Sequence, residues 1–147
     1  MSSYRRVLVG TDGSASSYRA VDRAAAIARE AGAELLIACA YRAPSQRERQ
    51  QAADEFGEES YRVAGSSPAE DVLRGACERA GDLPGRDTIA VEGEPVDVLV
   101  GLAKKREADL VVVGNRGMGS LAGRLLGTVP SVVSHRAPCD VLIVATT

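Results

Sequence analysis

The stretch ADLVVVGNRGMGSLAGRLLGTVPSVV, residues 108–133, joins an apolar run to a glycine-rich loop and then to a helical pattern. The apolar run ends at Gly114 and is typical of a strand buried on both faces of a parallel sheet. Five glycines fall between Gly114 and Gly127, a segment we call the glycine loop. Thr128 and Pro130 suit the first turn of a helix. The stretch therefore predicts a strand, a loop and a helix in succession, as in α/β folds.

The same alternation of strand and helix patterns runs along the rest of the chain. Predicted strands cover residues 5–10, 34–41, 87–93, 108–114 and 140–146. Predicted helices cover Ser17–Ala31, Pro68–Ala80, Pro95–Glu107 and about Val129–Arg136, with Ser16 or Ser17 as the expected N-cap of the first. This order predicts an α/β fold in which one domain, residues 1–147, forms an open five-stranded parallel sheet with helices on both faces.

One segment departs from this pattern. Residues 42–65, RAPSQRERQQAADEFGEESYRVAG, are polar and charged and contain no convincing strand. We expect a surface excursion that is partly helical from about Gln50 to Val63.

Composition and charge argue against several classes of function. A net charge of -2, one Phe, four Tyr and no Trp disfavour binding to nucleic acid. No apolar run reaches the length of a membrane span or a signal peptide, so we expect no membrane association. Cys39, Cys77 and Cys139 form no C-x-x-C pair and are expected to be buried free thiols in a reducing cytoplasm. The single His135 is expected to be a surface or helix-end residue.

The glycine loop is a candidate anion site on physical grounds. A helix N-terminus offers unpaired N–H groups and a partial positive charge, and glycines let the backbone approach an anion closely. The alternative is that these glycines only make a tight connection between strand and helix. The loop lacks the G-K-[ST] of a Walker A motif, and its spacing from Gly117 is one residue longer than the dinucleotide fingerprint.

Residues at or just after the ends of the predicted strands are further candidates for ligand binding. Asp12, which follows the first strand, could accept ribose hydroxyls or help to hold a phosphate-bound Mg²⁺, or could form an Asx-turn. Thr11 and Ser14 are more typical of turns than of ligands. Ala40 could offer only backbone groups to an adenine edge, and Arg116 could meet a phosphate.

No catalytic constellation emerges from the sequence. It contains no convincing Ser–His–Asp arrangement, no paired carboxylates and no cluster of metal ligands. Neither Ser14 nor Ser120 lies in a G-x-S-x-G elbow. The pattern favours a binding protein over an enzyme.

With these residues in view, the chain resembles the universal stress protein family. The resemblance rests on VLVGTDGSASSYRAV near the start and VVVGNRGMGSLAGRLLGTVPSVVSHRAPCDVLIV near the end. The family's ATP-binding members carry G-x2-G-x9-G-[ST], which Gly114, Gly117, Gly127 and Thr128 match. An actinobacterial branch of the family favours cyclic AMP, and the opening and closing segments are similar to that branch.

The resemblance implies an adenine-nucleotide-binding fold, like that of the adenine nucleotide alpha hydrolases, with strand order 3-2-1-4-5. It also implies a homodimer paired through the last strand, residues 140–145, whose apolar edge needs such cover. The implied nucleotide-binding residues are Thr11, Asp12, Ala40, Gly114, Asn115, Arg116, Gly117, Met118, Gly119, Ser120, Gly127, Thr128 and Val129.

The resulting functional hypothesis is a cytoplasmic regulatory or stress-response protein that binds ATP, with or without Mg²⁺, or alternatively cAMP. Without a P-loop lysine it would be at most a slow ATPase. One alternative is an interaction module whose dimer surface or 42–65 excursion engages a partner. Another is an enzyme acting on a nucleotide or a phosphorylated small molecule.

Overall fold

The computed structural model describes residues 3–42, 47, 50, 66–116 and 128–146. Its strands are β1 (Arg6–Gly10), β2 (Glu34–Tyr41), β3 (Arg86–Glu92), β4 (Leu110–Gly114) and β5 (Asp140–Val144). Its helices are α1 (Ala15–Ala31), α2 (Ser66–Ala80), α3 (Pro95–Lys105) and α4 (Thr128–Arg136). All five predicted strands and the four helices predicted outside residues 42–65 are present, with ends that differ from the prediction by at most two residues.

The five strands form one parallel sheet in the order β3-β2-β1-β4-β5. Val9 of β1 pairs with Ile37 on one side and Val112 on the other. The chain therefore moves outward from β1 to β3 and then crosses back to β4, so the direction of winding changes between β1 and β4. The predicted open parallel sheet and its strand order are confirmed.

The two faces of the sheet are covered by different helices because strand side chains alternate between faces. Val7 and Val9 pack with the buried alanines of α1 and α2, whereas Leu8 packs with α3 and α4. On α1 the face toward the sheet is formed by alanines, and Ala20, Ala24 and Ala28 have no exposed surface. Small residues on this face let α1 lie close to the central strands.

The predicted N-cap of α1 is wrong. Ser14 is the N-cap, with an extended backbone and a side chain that accepts a hydrogen bond from the Ser17 N–H. Ser16 and Ser17 lie inside the first turn because the helix begins at Ala15, and their hydroxyls bind elsewhere. Gly32 ends the helix with φ 65°, the left-handed conformation that glycine adopts readily.

The predicted end of α3 is two residues too long. The helix ends at Lys105, and Glu107 has φ 54°, which no helix can continue through. The cations Lys104 and Lys105 do occupy the last turn, where they complement the helix dipole. Of the 42–65 excursion, only Arg42, Arg47 and Gln50 are among the described residues.

The three cysteines differ in how deeply they are buried. Cys39 is buried as predicted, but Cys77 and Cys139 are only half-buried, because each lies at the margin of its core cluster. All three are free thiols. None of the helices in the described ranges is long and apolar enough to cross a membrane.

Candidate functional site

A cleft of about 240 Å³ opens at the carboxyl ends of β1, β2 and β3. Its walls are Thr11, Asp12, Ala40, Tyr41, Arg42, Gly93, Glu94 and Pro95. Parallel sheets bind ligands at this edge, beside the point where the winding direction changes. The structure therefore brings together three residues that the sequence singled out separately, Thr11, Asp12 and Ala40.

A buried hydroxyl pair shapes the loop after β1, residues 11–14, which we call the first loop. The hydroxyls of Thr11 and Ser17 lie 2.8 Å apart, and each residue is only 1% exposed. Ser17 Oγ donates to the Ser14 carbonyl at 3.0 Å, so Thr11 must be the donor to Ser17. Ser17 Oγ also accepts from the Asp12 N–H at 3.2 Å. All the hydrogen-bonding capacity of Ser17 is therefore used to hold the first loop.

Asp12 forms the Asx-turn that the sequence left open as one interpretation. Its Oδ1 accepts from the Ser14 N–H at 2.9 Å, on the exposed side of the first loop. This bond fixes the direction of the carboxylate at the mouth of the cleft. The turn and a role in ligand binding are compatible, because a carboxylate has several lone pairs.

Position 13 requires glycine, both because of its backbone conformation and because a side chain there would have too little space. Its φ is +84°, and a Cβ built there would lie 2.9 Å from Cγ2 of Val72 on α2. A real Cβ atom essentially never approaches a neighbour so closely. The first loop is therefore pressed against α2.

The exit of β4 lies beside the first turn of α1. A Cβ on Gly114 would come within 3.3 Å of Ser16 Oγ and 3.4 Å of the Arg116 carbonyl. The Asn115 N–H donates to the Val144 carbonyl at 3.0 Å, which extends the pairing of β4 with β5 by one residue. Glycine at position 114 thus lets the start of the glycine loop pass close to α1.

A second set of hydrogen-bonded polar residues links the carboxyl end of β4 to the segment that follows β5. It consists of Ser16, Asn115 and Thr146, and we call it the Thr146 cluster. Thr146 Oγ1 lies 2.7 Å from both Asn115 Oδ1 and Ser16 Oγ. The Thr146 N–H also donates to Asn115 Oδ1 at 3.2 Å. The Arg19 guanidinium donates to the Thr146 carbonyl.

The predicted glycine loop is only partly within the described residues. Gly117, Met118, Gly119, Ser120 and Gly127 lie outside them. Gly114, Asn115 and the exposed Arg116 mark where the loop begins, and α4 begins at Thr128. The Val129 side chain is buried in the core with α3, which leaves its backbone as the part available to a ligand.

Comparison with known proteins identifies the family. The model of the universal stress protein family matches residues 3–145. This chain belongs to the universal stress protein family.

Three relatives of this universal stress protein cover nearly all of it. Universal stress protein Rv1636 of Mycobacterium tuberculosis (strain H37Rv) is 53% identical over 149 residues, with 100% of both chains covered. A solved universal stress protein in complex with cAMP is 44% identical with a TM-score of 0.75, covering 99% of this chain and 100% of that one. Universal stress protein UspA from Lactobacillus plantarum shares 25% identity with a TM-score of 0.78, over 98% and 99% of the two chains. The resemblance inferred from the sequence is confirmed.

The titratable groups near the site of this universal stress protein include an unreactive thiol. Burial first, and the Asp12 charge second, raise the pKa of Cys39 from 9.0 to about 11. A thiol with so high a pKa stays protonated at neutral pH and is a poor nucleophile. In the described ranges, no three His, Cys, Asp or Glu side chains group as a metal site. His135 is exposed at the end of α4, as predicted, with Nδ1 2.9 Å from the Ser131 carbonyl.

A second cavity, of about 300 Å³, lies at the opposite, amino edge of the sheet. Its charged side chains are largely paired with one another, as in Arg6 with Glu34 at 3.5 Å and Arg106 with Asp87 at 3.8 Å. This edge is remote from the strand exits, where α/β sheets bind ligands. We therefore assign the candidate site of this family member to the carboxyl edge, although the cavity there is the smaller one.

Proposed function

We propose that this universal stress protein binds an adenine nucleotide across the carboxyl edge of its sheet and acts as a regulatory protein. The observation that carries the proposal is the cleft lined by Thr11, Asp12 and Ala40, set beside the exit of β4. The relative that is 44% identical was solved in complex with cAMP, which supports an adenine nucleotide as the ligand.

The adenosine half of the ligand would occupy the cleft. Ala40 lies at the carboxyl end of β2 and would offer backbone groups to the adenine edge. Asp12 at the cleft mouth would accept a hydrogen bond from a ribose hydroxyl, a charge-assisted bond and hence a strong one. Thr11, which is almost fully buried, would support the wall through its backbone and its bond to Ser17.

The phosphate half would lie at the glycine loop. Gly114, Asn115 and Arg116 start this loop, and the N-terminus of α4 at Thr128 and Val129 ends it with N–H groups that have no partner within the helix. We retain Gly117, Met118, Gly119, Ser120 and Gly127 as predicted phosphate-loop residues on the strength of the G-x2-G-x9-G-[ST] pattern.

Charge favours cAMP as the first candidate and ATP as the second. The segment 114–128 contains two arginines and no lysine, and the cleft has two carboxylates, Asp12 and Glu94, against one cation, Arg42. A single phosphodiester charge is easily matched there by backbone N–H groups, but a triphosphate would need Mg²⁺, for which Asp12 would be a ligand. The glycine spacing, which matches the family's ATP-binding members, keeps ATP as the alternative.

Titration calorimetry with cAMP, ATP and ADP, with and without Mg²⁺, tests the proposal. We expect cAMP to bind well below millimolar concentration and more tightly than ATP. A bulky residue at Gly117 or Gly127 should abolish binding while the thermal melting curve stays that of a folded domain. Binding of none of these nucleotides below about 1 mM, roughly -4 kcal/mol, would overturn the proposal.

We further propose a binding role without rapid catalysis. A glycine loop without lysine would stabilise a developing charge on a transferred phosphoryl group less than a P-loop does. Multiple-turnover release of phosphate from ATP should therefore be far slower than about 1 per second, a low rate for an enzyme. Faster release would favour the enzyme hypothesis.

A cytoplasmic homodimer is the proposed assembly. β5 is an edge strand, its residues Val141, Leu142 and Ile143 are only half-buried, and none of the described strands pairs with its outer side, which a second copy would cover. Sedimentation equilibrium should give a mass near twice that of one chain. A monomer in that experiment would instead favour β5 as a surface for another partner, as the interaction-module hypothesis holds.

A further inference from the structure

Glu94 is a carboxylate in the cleft wall that the fold does not use. It is the N-cap residue of α3, with an extended backbone, yet its side chain makes no capping hydrogen bond. The side chain is exposed, and among the residues that the structure describes no hydrogen bond or ion pair engages it. Because it gives α3 no cap, unlike the serine, threonine, aspartate or asparagine usual at this position, its acceptor oxygens are left for a ligand.

The backbone on both sides of Glu94 is fixed. The Gly93 N–H donates to the Tyr41 carbonyl at 2.8 Å, which continues the pairing of β2 with β3 past the end of β3. The Glu94 carbonyl accepts from the Val98 N–H at 2.9 Å in the first turn of α3, and the ring of Pro95 restricts the chain between them. Glu94 therefore stays at the carboxyl end of β3, and only its side-chain torsions remain free.

The strand order determines which end of a nucleoside meets Glu94. The cleft walls come from the ends of β1, β2 and β3, which lie side by side in this order. Neighbouring strands are about 4.8 Å apart, so β1 and β3 are separated by about 10 Å, a span that a nucleoside can cover. With the ribose at Asp12 after β1, the rest of the cleft lies over β2 and β3. The purine edge remote from the ribose carries position 6, so the 6-amino group of adenosine is brought toward Glu94.

We infer that the Glu94 carboxylate accepts a hydrogen bond from the 6-amino group of adenine and thereby selects a base that has a donor at this position. An ionised carboxylate only accepts hydrogen bonds, and the resulting bond is charge-assisted. The Arg42 guanidinium, the cation of the cleft, has donors only and cannot replace Glu94 in this contact. Glu94 adds to the recognition of the base by the Ala40 backbone. The inference rests on the proposed function, because it takes the ligand to be an adenine nucleotide with its ribose at Asp12.

Two nucleotides and two variants isolate this contact. The analogue, purine riboside 3′,5′-cyclic monophosphate, is cAMP with a hydrogen in place of the 6-amino group. Glu94→Ala removes the carboxylate, and Glu92→Ala is the matched control, because Glu92 is also exposed and is not among the residues lining the cleft. Amide NMR titrations of each protein with both nucleotides form a cycle in which the general effect of losing a negative charge cancels. Thermal melting curves check that each variant is folded.

In the wild type the preference for cAMP over the analogue should be about tenfold greater than in Glu94→Ala, the scale of one hydrogen bond to a charged group. Glu92→Ala should keep the wild-type preference. The same preference in Glu94→Ala as in the wild type would overturn the inference and leave the proposed function intact, because cAMP would still bind. An equal loss of preference in the two variants would show an effect of charge alone and would also overturn the inference. A wild type that binds neither compound would overturn the inference together with the proposed cAMP site.

Discussion

The side-chain hydroxyls of Thr11 and Ser17 lie 2.8 Å apart in the interior, where they join the end of β1 to the first turn of α1. Ser17 also accepts from the Asp12 N–H and donates to the Ser14 carbonyl. One buried hydroxyl therefore holds three residues of the first loop, including the backbone of Asp12, whose carboxylate lies at the cleft mouth.

Replacement of Ser17 by alanine should destabilise the fold and disturb the cleft. The variant leaves the Thr11 hydroxyl and the Asp12 N–H without their partner, so the free energy of unfolding should fall by about 1–3 kcal/mol. Urea denaturation measures that change. Ser134→Ala removes an exposed serine hydroxyl from α4 and is the matched control, with an expected change within about 0.5 kcal/mol. Equal effects of the two variants would show that the buried network contributes nothing.

Gly13→Ala should destabilise the protein by about 1–3 kcal/mol, because it adds left-handed backbone strain and a 2.9 Å approach to Val72. Gly32→Ala has the strain alone, since nothing lies within 4 Å of its added Cβ, and should cost less. Gly101→Ala introduces neither backbone strain nor a close contact and lies within α3, so it should raise the free energy of unfolding by about 0.5–1 kcal/mol. Thermal melting of the three variants gives the order, and a reversed order of Gly13→Ala and Gly101→Ala would contradict this account.

The Asp12→Asn variant distinguishes the role of Asp12 in the Asx-turn from its proposed contact with the ribose. Asparagine keeps an acceptor for the Ser14 N–H, so the unfolding free energy should change by less than about 0.5 kcal/mol. It removes the carboxylate charge, so adenosine affinity in an NMR titration should fall by about tenfold. Asp12→Ala should lose both stability and affinity. Undiminished adenosine binding in either variant would exclude Asp12 from the ribose site.

The raised pKa of Cys39 predicts a loss of stability in alkaline solution. As pH rises above 9.0, the unfolded chain loses this proton first, whereas the folded thiol keeps it until about pH 11. The free energy of unfolding should therefore fall with rising pH between these two values. Tyr4 and Tyr18 also have raised pKa values, Tyr4 mainly through its bond to Asp140 and Tyr18 through burial. Cys39→Ala isolates the cysteine, and denaturation at pH 8 and pH 10 should show a smaller decrease in that variant than in the wild type.

The fold was predictable from sequence because its signals are local. The apolar run of residues 108–114 and the helical pattern of Ser17–Ala31 depend only on neighbouring residues, and the structure has β4 and α1 at these places. The errors in these elements fell at their ends: β4 and β5 are each two residues shorter than predicted, and the N-cap of α1 is Ser14. Ser14, Ser16 and Ser17 are all suitable caps, and only the path of the first loop determines that Ser14 is the one used.

The candidate site was predictable only in part. Thr11, Asp12 and Ala40 follow strands, and the rule for parallel sheets brings strand exits to one edge. The roles of Ser16, Ser17 and Thr146 could not be predicted, because their bonds depend on how α1 and the end of β5 lie across β1 and β4. Two adjacent serines in the first turn of a helix do not by themselves indicate that Ser16 faces the loop after β4 and Ser17 faces the loop after β1.

Tyr41 in the cleft wall has a practical optical consequence. The sequence contains four tyrosines, one phenylalanine and no tryptophan, so tyrosine dominates the ultraviolet emission of the protein. A purine ring entering the cleft would contact Tyr41 and quench part of that emission, with no label attached. The intrinsic fluorescence of the unmodified chain should thus report occupancy in real time, and Tyr41→Leu should remove the signal while Tyr4→Leu leaves it.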